Sequence, residues 1–447
     1  ISDFRMPTRL NSDQKRAVNL IQKEKILLIS GGPGTGKTST ILQMLLNALS
    51  TRTNLFIGLA APTGKATKRL QQSVQDGIKR LAPSSKNQLS RIPCKTIHKW
   101  LKANPNGFAR NKANPLDLDL LVVDEMSMVD LNLFQSLQDA LPLKTQLILV
   151  GDQNQLPPVG IGPVWNELLD KKTIGKFNQC SVHLTKTYRN KGNLALLSDM
   201  VRDKGLNPFW ENLSLLCNEK SNIKEHVKPL NKFKGGIFNK IKNHQLELKR
   251  LSAKAKETIP IQAWLSSTAE FTTTKEIKDL FNKLENLFVL CPRKNGFAGI
   301  NNLHKYLLGD QLEGGLSTWG EGTPVICANN QSDLGLANGD IGVIIRKGGE
   351  FRILFNLYSE DRQQVITRLI HPARVKDLDP AFAITIHKAQ GSEANEVILI
   401  WPYSRTNTNS NTEEANDDDF QKKLIYTAIT RAKKKVDVLI DLDSDKF

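Results

Sequence analysis

The chain is 447 residues long, 39% hydrophobic and 24% charged, with a formal net charge of +17. That length allows roughly two to four domains with sizeable cores, and no apolar run approaches the ~18 residues that would cross a bilayer as a helix. Five scattered cysteines without a C-x-x-C indicate neither a zinc site nor a disulfide framework and point to a reducing cytoplasm, while a positive field of this size favours a polyanion, most often nucleic acid.

In chain order, Leu10-Asn-Ser-Asp-Gln14 opens a helix capped by Asn11 or Ser12, with Ala17, Val18 and Ile21 on its apolar side. The Gln14 amide suits the N6/N7 edge of an adenine, but capping accounts for Asn11 and Ser12 without it, and taken alone Gln14 reads as surface. Lys25 to Ser30 is a short buried strand. It runs into Gly31-Gly-Pro-Gly-Thr-Gly-Lys-Thr38, which fits G-x-x-x-x-G-K-[ST]. Ile41, Leu42, Leu45, Leu46 and Leu49 then share one face of a helix. Strand, glycine loop and helix N-terminus form a phosphate cradle. Gly32, Pro33, Gly34, Thr35, Gly36 and Ser39 wrap the nucleotide, Lys37 reaches its β- and γ-phosphates, and Thr38 holds Mg²⁺.

Leu55 to Ala61 is a second strand, ending in Ala61-Pro-Thr-Gly-Lys-Ala66, where Thr63, Lys65 and the N–H groups of the next helix can hold a phosphodiester. Residues 82–114 are rich in Pro, Ser, Asn and Lys and read as a small insertion outside the core layers. Leu118 to Val123 is a third strand, closed by Asp124 and Glu125: a Mg²⁺ ligand followed by the group that polarises the attacking water. Leu147 to Val150 is a fourth, followed by Gly151-Asp-Gln-Asn-Gln-Leu-Pro-Pro158, where Gln155 senses the γ-phosphate or orients water.

Gln14, the loop at Gly31–Thr38, Pro62-Thr-Gly64, Val123-Asp-Glu-Met-Ser-Met128 and the Gly151 to Pro157 segment resemble, in order, the motor motifs of superfamily 1 helicases. The Asp-Glu-x-Ser-Met form is similar to the 5′→3′ branch. Leu184-Thr-Lys-Thr-Tyr-Arg-Asn190 resembles the family segment that sends an arginine, here Arg189, to the nucleotide. Thr385-Ile-His-Lys-Ala-Gln-Gly-Ser-Glu393 and Leu424-Ile-Tyr-Thr-Ala-Ile-Thr-Arg-Ala432 resemble the later motifs, with Arg431 as a second phosphate-facing arginine. Within that branch, Val289-Leu-Cys-Pro-Arg293, Gly299-Ile-Asn-Asn-Leu303, Gly322-Thr-Pro-Val-Ile-Cys327 and Gly335-Leu-Ala-Asn-Gly-Asp-Ile-Gly-Val343 resemble RecD, the α subunit of exodeoxyribonuclease V, and its stand-alone relatives.

That resemblance implies an α/β fold with two RecA-like P-loop NTPase domains of mainly parallel strands. The first spans 1–178, with 82–114 as its insertion. The second combines 179–310 and 372–447, and 311–371 forms an inserted small β-barrel. It implies ATP with Mg²⁺ as cofactors, Arg189 and Arg431 supplied by the second domain, and single-stranded DNA gripped by Thr63, Lys65, Thr385 and His387. The expected activity is a 5′→3′ DNA helicase acting on single strands and duplex ends in recombination and repair. RecB- and RecC-like subunits are its implied partners, and any nuclease activity resides in another subunit. The N-terminal domain usual in RecD proteins is expected to be missing, because the first motor motif begins at residue 10. A relaxase-linked or Dda-like helicase and an ATP-binding scaffold subunit remain as alternatives.

The residues alone add three expectations. Thr323 to Asn356 reads as short strands with a Gly348-Gly349 hairpin turn. Asn207 to Thr274 matches no motif; within it Lys220 to Lys256 carries eleven Lys/Arg against Glu225 and Glu247, with helix around Gln245–Lys256. The acidic, Asn-rich stretch from Ser404 to Asp419 shows neither period and reads as a flexible surface loop.

Overall fold

The computed structural model describes residues 10–441 except 53, 80, 82, 189–192, 217–222, 228–235, 297, 360–361 and 403–411. The chain divides into two compact units, Ile1–Asn190 with Glu360–Gln363, and Lys191–Ser359 with Gln364–Phe447.

In the first unit, continuous apolar runs become strands buried on both faces, as parallel sheets require. They are β1 (Ile26–Gly31), β2 (Ile57–Ala61), β3 (Cys94–Thr96), the hairpin pair β4 (Ala103–Asn104) and β5 (Gly107–Phe108), β6 (Leu120–Val123), β7 (Gln146–Gly151) and β8 (Ser181–Leu184). Six of them form a parallel sheet in the order β3-β2-β6-β7-β1-β8. Side chains alternate between its faces. Leu27 and Ile29 pack with helices α1 (Ser12–Leu20), α2 (Lys37–Thr51) and α3 (Gly64–Ile78), while Leu28, Leu121 and Val123 pack with Phe134, Leu137 and Trp165.

Two boundaries move. Cys94–Thr96, inside the stretch expected to stand outside the core layers, pairs with β2 at Leu59↔Cys94 and forms the edge of the main sheet. A strand of three residues among prolines and lysines is too short to show a period. β8 pairs with β1 at Leu28↔Ser181, so the first unit continues past residue 178.

The second unit holds β9 (Ile223–Val227), β10 (Thr268–Phe271), β11 (Leu287–Cys291), β12 (Pro324–Cys327), β13 (Ile341–Lys347), β14 (Glu350–Ser359), β15 (Gln364–Ile370), β16 (Leu378–Pro380), β17 (Ile384–Thr385), β18 (Ala394–Pro402) and β19 (Ala432–Asp441). A five-stranded parallel sheet runs β17-β11-β18-β19-β9. A six-stranded antiparallel sheet runs β10-β15-β14-β13-β12-β16. Gly348 and Gly349 both take positive φ (59° and 85°) in the tight turn between β13 and β14, the conformation a two-residue hairpin loop needs. This sheet draws β10 and β16 from beyond 311–371. Its pairings run from β10 to β16, and among the described residues no pairing between those two strands closes it into the expected small barrel.

The basic segment is largely structural. The helix Ile237–Glu257 buries Ile237, Ile241, Leu248, Ser252 and Ala255. Leu248 and Ala255 pack with Val343, Ile345 and Leu354 of the antiparallel sheet. Its cations are partly matched: Lys240 pairs with Glu396 and Asp437, and Lys256 with Glu321. The expected acidic loop is corrected in part. Thr412–Ile429 is a helix, with Leu424, Ile425, Tyr426, Ala428 and Ile429 buried; the remainder of that loop, 404–411, lies outside the described residues. Among the described residues, the buried apolar ones of this helix lie only in its last turns, so the stretch up to Asp419 shows no apolar period. Among the described residues no helix is long and apolar enough to cross a membrane.

Candidate nucleotide and nucleic-acid site

The phosphate loop leaves β1 and enters α2 with Gly34 (φ 78°) and Gly36 (φ 85°) in the left-handed region. A Cβ on Gly36 would lie 2.6 Å from Gln14 Nε2, so this glycine is required by space as well as by φ. The Lys37 ammonium donates to the carbonyls of Gly31 (2.7 Å) and Gly32 (3.2 Å), and the Thr35 hydroxyl donates to Gly32 O (2.8 Å).

Gln14 is not a surface residue. It is 4% exposed and occupies the third helical position of a capping box. Gln14 N donates to Asn11 Oδ1 (2.8 Å), and Asn11 N donates back to Gln14 Oε1 (3.2 Å). Its amide Nε2 donates to Thr35 O at 3.5 Å. Capping therefore does call for Gln14, and the Asn11-x-x-Gln14 spacing carried that signal. Sequence reasoning missed Tyr188. Its N–H donates to Gly34 O (2.8 Å), its hydroxyl meets Asn11 Nδ2 (3.1 Å), and the ring stays 44% exposed beside the loop. Arg189 lies outside the described residues.

Asp124 and Glu125 follow β6. Desolvation pushes the Asp124 carboxyl up to about 6, the neighbouring Glu125 adds to the rise, and Lys37, the Glu125 N–H and Arg69 oppose it. Glu125 has left-handed backbone (φ 55°, ψ 44°), unusual for a non-glycine residue and costly enough to mark a functional corner. Arg69 Nη1 of α3 stands 3.8 Å from Glu125 Oε1. After β7, Asp152 accepts from Asn154 N (3.0 Å) and Gln155 Nε2 (3.3 Å). Gln155 is 2% exposed, and among the described residues its Oε1 has no hydrogen-bond partner. A buried acceptor left open at a strand end is suited to a ligand or water.

Thr38 and Asp124 offer hard oxygen donors beside the cradle. Among the described residues no three His, Cys, Asp or Glu side chains gather as a metal cage.

Two models of protein families match the chain, an AAA domain over residues 14–161 and a UvrD-like helicase C-terminal domain over 380–439. The RecBCD enzyme subunit RecD of Buchnera aphidicola subsp. Acyrthosiphon pisum is 30% identical, across 97% of this chain and 73% of the relative. The corresponding subunit of Haemophilus influenzae is 31% identical, across 96% of this chain and 68% of its own length. The chain belongs to the RecD family. The ATP-dependent RecD2 DNA helicase of Deinococcus radiodurans is 26% identical across 95% of this chain and 48% of that one. A Bacteroides Pif1 structure superposes over 96% of this chain and 92% of that one at 16% identity, with a TM-score of 0.43.

The remaining candidates of this RecD-family chain fall on strand ends. Thr63 Oγ1 caps α3 by accepting from Ala66 N (3.2 Å), in the turn that carries Lys65, and Arg69 follows Lys65 by four residues along the helix. Thr385 ends β17 and accepts from Lys388 N (3.4 Å), and burial pushes the His387 imidazole below its ordinary value. Arg431 is 1% exposed and donates to Thr427 O (3.1 Å) and Ser392 O (3.3 Å). The tetrapeptide Thr-Ile-His-Lys occurs twice, at Thr96–Lys99 and Thr385–Lys388. Each copy closes the C-terminal end of an edge strand, β3 or β17, and Thr96 accepts from Lys99 N (3.3 Å) just as Thr385 does from Lys388 N. His98 is likewise lowered by desolvation, against the pull of Asp130. The repeat was legible in the sequence, but only the sheet order gives the two copies equivalent positions.

Proposed function

We propose that this chain is a 5′→3′ motor that hydrolyses ATP with Mg²⁺ while moving on single-stranded DNA from duplex ends, as the motor subunit of a RecBCD-like complex. As a RecD-family member it is an ATP-dependent DNA helicase. The observation that carries the finer reading is the corner beyond the ends of β1, β6 and β7, where Lys37, Asp124, Glu125 and the open Gln155 acceptor occupy the ligand-bearing edge of a parallel sheet. Thr38 and Asp124 would hold Mg²⁺, which supplies charge neutralisation on the phosphates. Lys37 binds the β- and γ-phosphates. Glu125 accepts the proton of the attacking water, and Gln155 orients that water. The exposed Tyr188 ring beside Gln14 offers an adenine a stacking face. Thr63 and Lys65, with the paired Thr-Ile-His corners at Thr96/His98 and Thr385/His387, are the proposed backbone grips. Contacts of this kind suit a motor, which must tolerate any base sequence.

The test is unwinding of partial duplexes with a 5′ or a 3′ overhang, alongside ATPase rates with and without single-stranded DNA. The expected result is unwinding from 5′ overhangs and a DNA-stimulated ATPase. Preference for 3′ overhangs would overturn the polarity. No stimulation, alone or with RecB- and RecC-like subunits, would overturn the motor.

A further inference from the structure

Helix α3 joins two of the proposed sites. Its first turn carries Thr63 at the cap and Lys65, the candidate phosphodiester grip, and Arg69 stands one turn further along the same face. Arg69 Nη1 stands 3.8 Å from the Glu125 carboxylate, with the Glu125 side chain 12% exposed and the Arg69 side chain 33%. The two corners are also mechanically adjacent. β2, which feeds α3, pairs in register with β6, which Asp124 and Glu125 follow, and Asp124 N donates to Ala60 O (2.9 Å). Glu125 is held in a left-handed conformation, so its side chain has a narrow choice of directions.

We propose that Arg69 is a positioning residue that restrains Glu125 when no nucleic acid is bound, and that a phosphodiester arriving at the start of α3 draws the guanidinium away and releases the carboxylate for catalysis. A carboxylate held toward a guanidinium is turned from the water it must polarise. A phosphate is the stronger bidentate partner for that guanidinium, and the Thr63-capped start of α3 is where it would arrive. DNA binding and hydrolysis are then linked through one cation with two competing anions. The inference deepens the motor reading and rests on it.

The experiment compares wild type, Arg69→Ala and Arg69→Lys for ATP turnover across a titration of oligo-dT, with a thermal melt of each protein. A partly buried ion pair shifts such an equilibrium by up to about fivefold. Arg69→Ala is therefore expected to raise DNA-free turnover by roughly two- to fivefold, leave the DNA-saturated rate within about twofold, and lower the stimulation ratio accordingly. Arg69→Lys is expected to restore part of the restraint, since it keeps the charge and loses the fork. A DNA-free rate unchanged or reduced in a variant that melts like wild type overturns the restraint. If Arg69→Ala does not fold, Arg69→Lys decides it, because a DNA-free rate equal to or below wild type overturns the proposal. Wild-type protein that DNA does not stimulate would sink the motor reading itself, a different failure from stimulated wild type with an unaltered variant.

Discussion

At the scale of single residues, the nucleotide site divides into what a pattern can announce and what only contact reveals. Lys37 and Gly36 sit in a spacing with few other uses. Lys37→Ala is expected to abolish ATP hydrolysis, measured as phosphate release with saturating single-stranded DNA; retained turnover would show that the loop is not the catalytic seat. Gly36→Ala faces two obstacles at once, a φ of 85° and a Gln14 nitrogen 2.6 Å from the new methyl. It is expected to cost ~1–2 kcal/mol of stability and to weaken ATP binding about tenfold in a nucleotide titration. Unchanged affinity would mean that the loop reshapes freely. Gln14 was legible as a capping partner through its three-residue spacing from Asn11. Tyr188 and Arg69 were not, because their partners Gly34 and Glu125 come from remote parts of the chain and no local period marks such a meeting.

Elements were legible where burial is two-sided and long. β1, β2, β6 and β7 are continuous apolar runs, so their existence and their adjacent loops follow from composition alone. β3, only three residues long, and the helix over Thr412–Ile429, acidic at its start, defeat the same reasoning because neither presents an apolar period over its whole length. The helix Ile237–Glu257 shows the opposite confusion, since its lysines suggest a solvated nucleic-acid arm while its apolar residues serve a core. Leu248 decides between them: it is fully buried among Val343, Ile345, Leu354 and Leu369. Leu248→Ala is expected to destabilise the protein by about 2–5 kcal/mol in denaturant unfolding. A change below ~0.5 kcal/mol, the level of a surface site, would return the segment to the solvated arm.

Charge is a property of the whole molecule, and +17 alone does not say where a polyanion lies. Long-range attraction is screened beyond about 10 Å at 0.1 M salt, so the general field acts mainly on the rate of encounter. What sets the salt slope of the affinity is the number of phosphates actually neutralised, about 0.7 per contact on a single strand. Several cations of the basic segment already have carboxylate partners, Lys240 with Asp437 and Lys256 with Glu321 among them. Lys65, beside the Thr63 cap and one turn from Arg69, lies at the strand-end corner where the motor reading seats the backbone. Lys65→Ala is therefore expected to weaken oligo-dT and mixed-sequence oligonucleotides alike and to reduce the slope of log K against log salt by about 0.7, whereas Lys249→Ala, on an exposed position of the basic helix, leaves the slope unchanged. Fluorescence anisotropy over a salt series measures both. The reverse result, a slope lost with Lys249 and kept with Lys65, would move the nucleic-acid path from the strand-end corners to the basic helix.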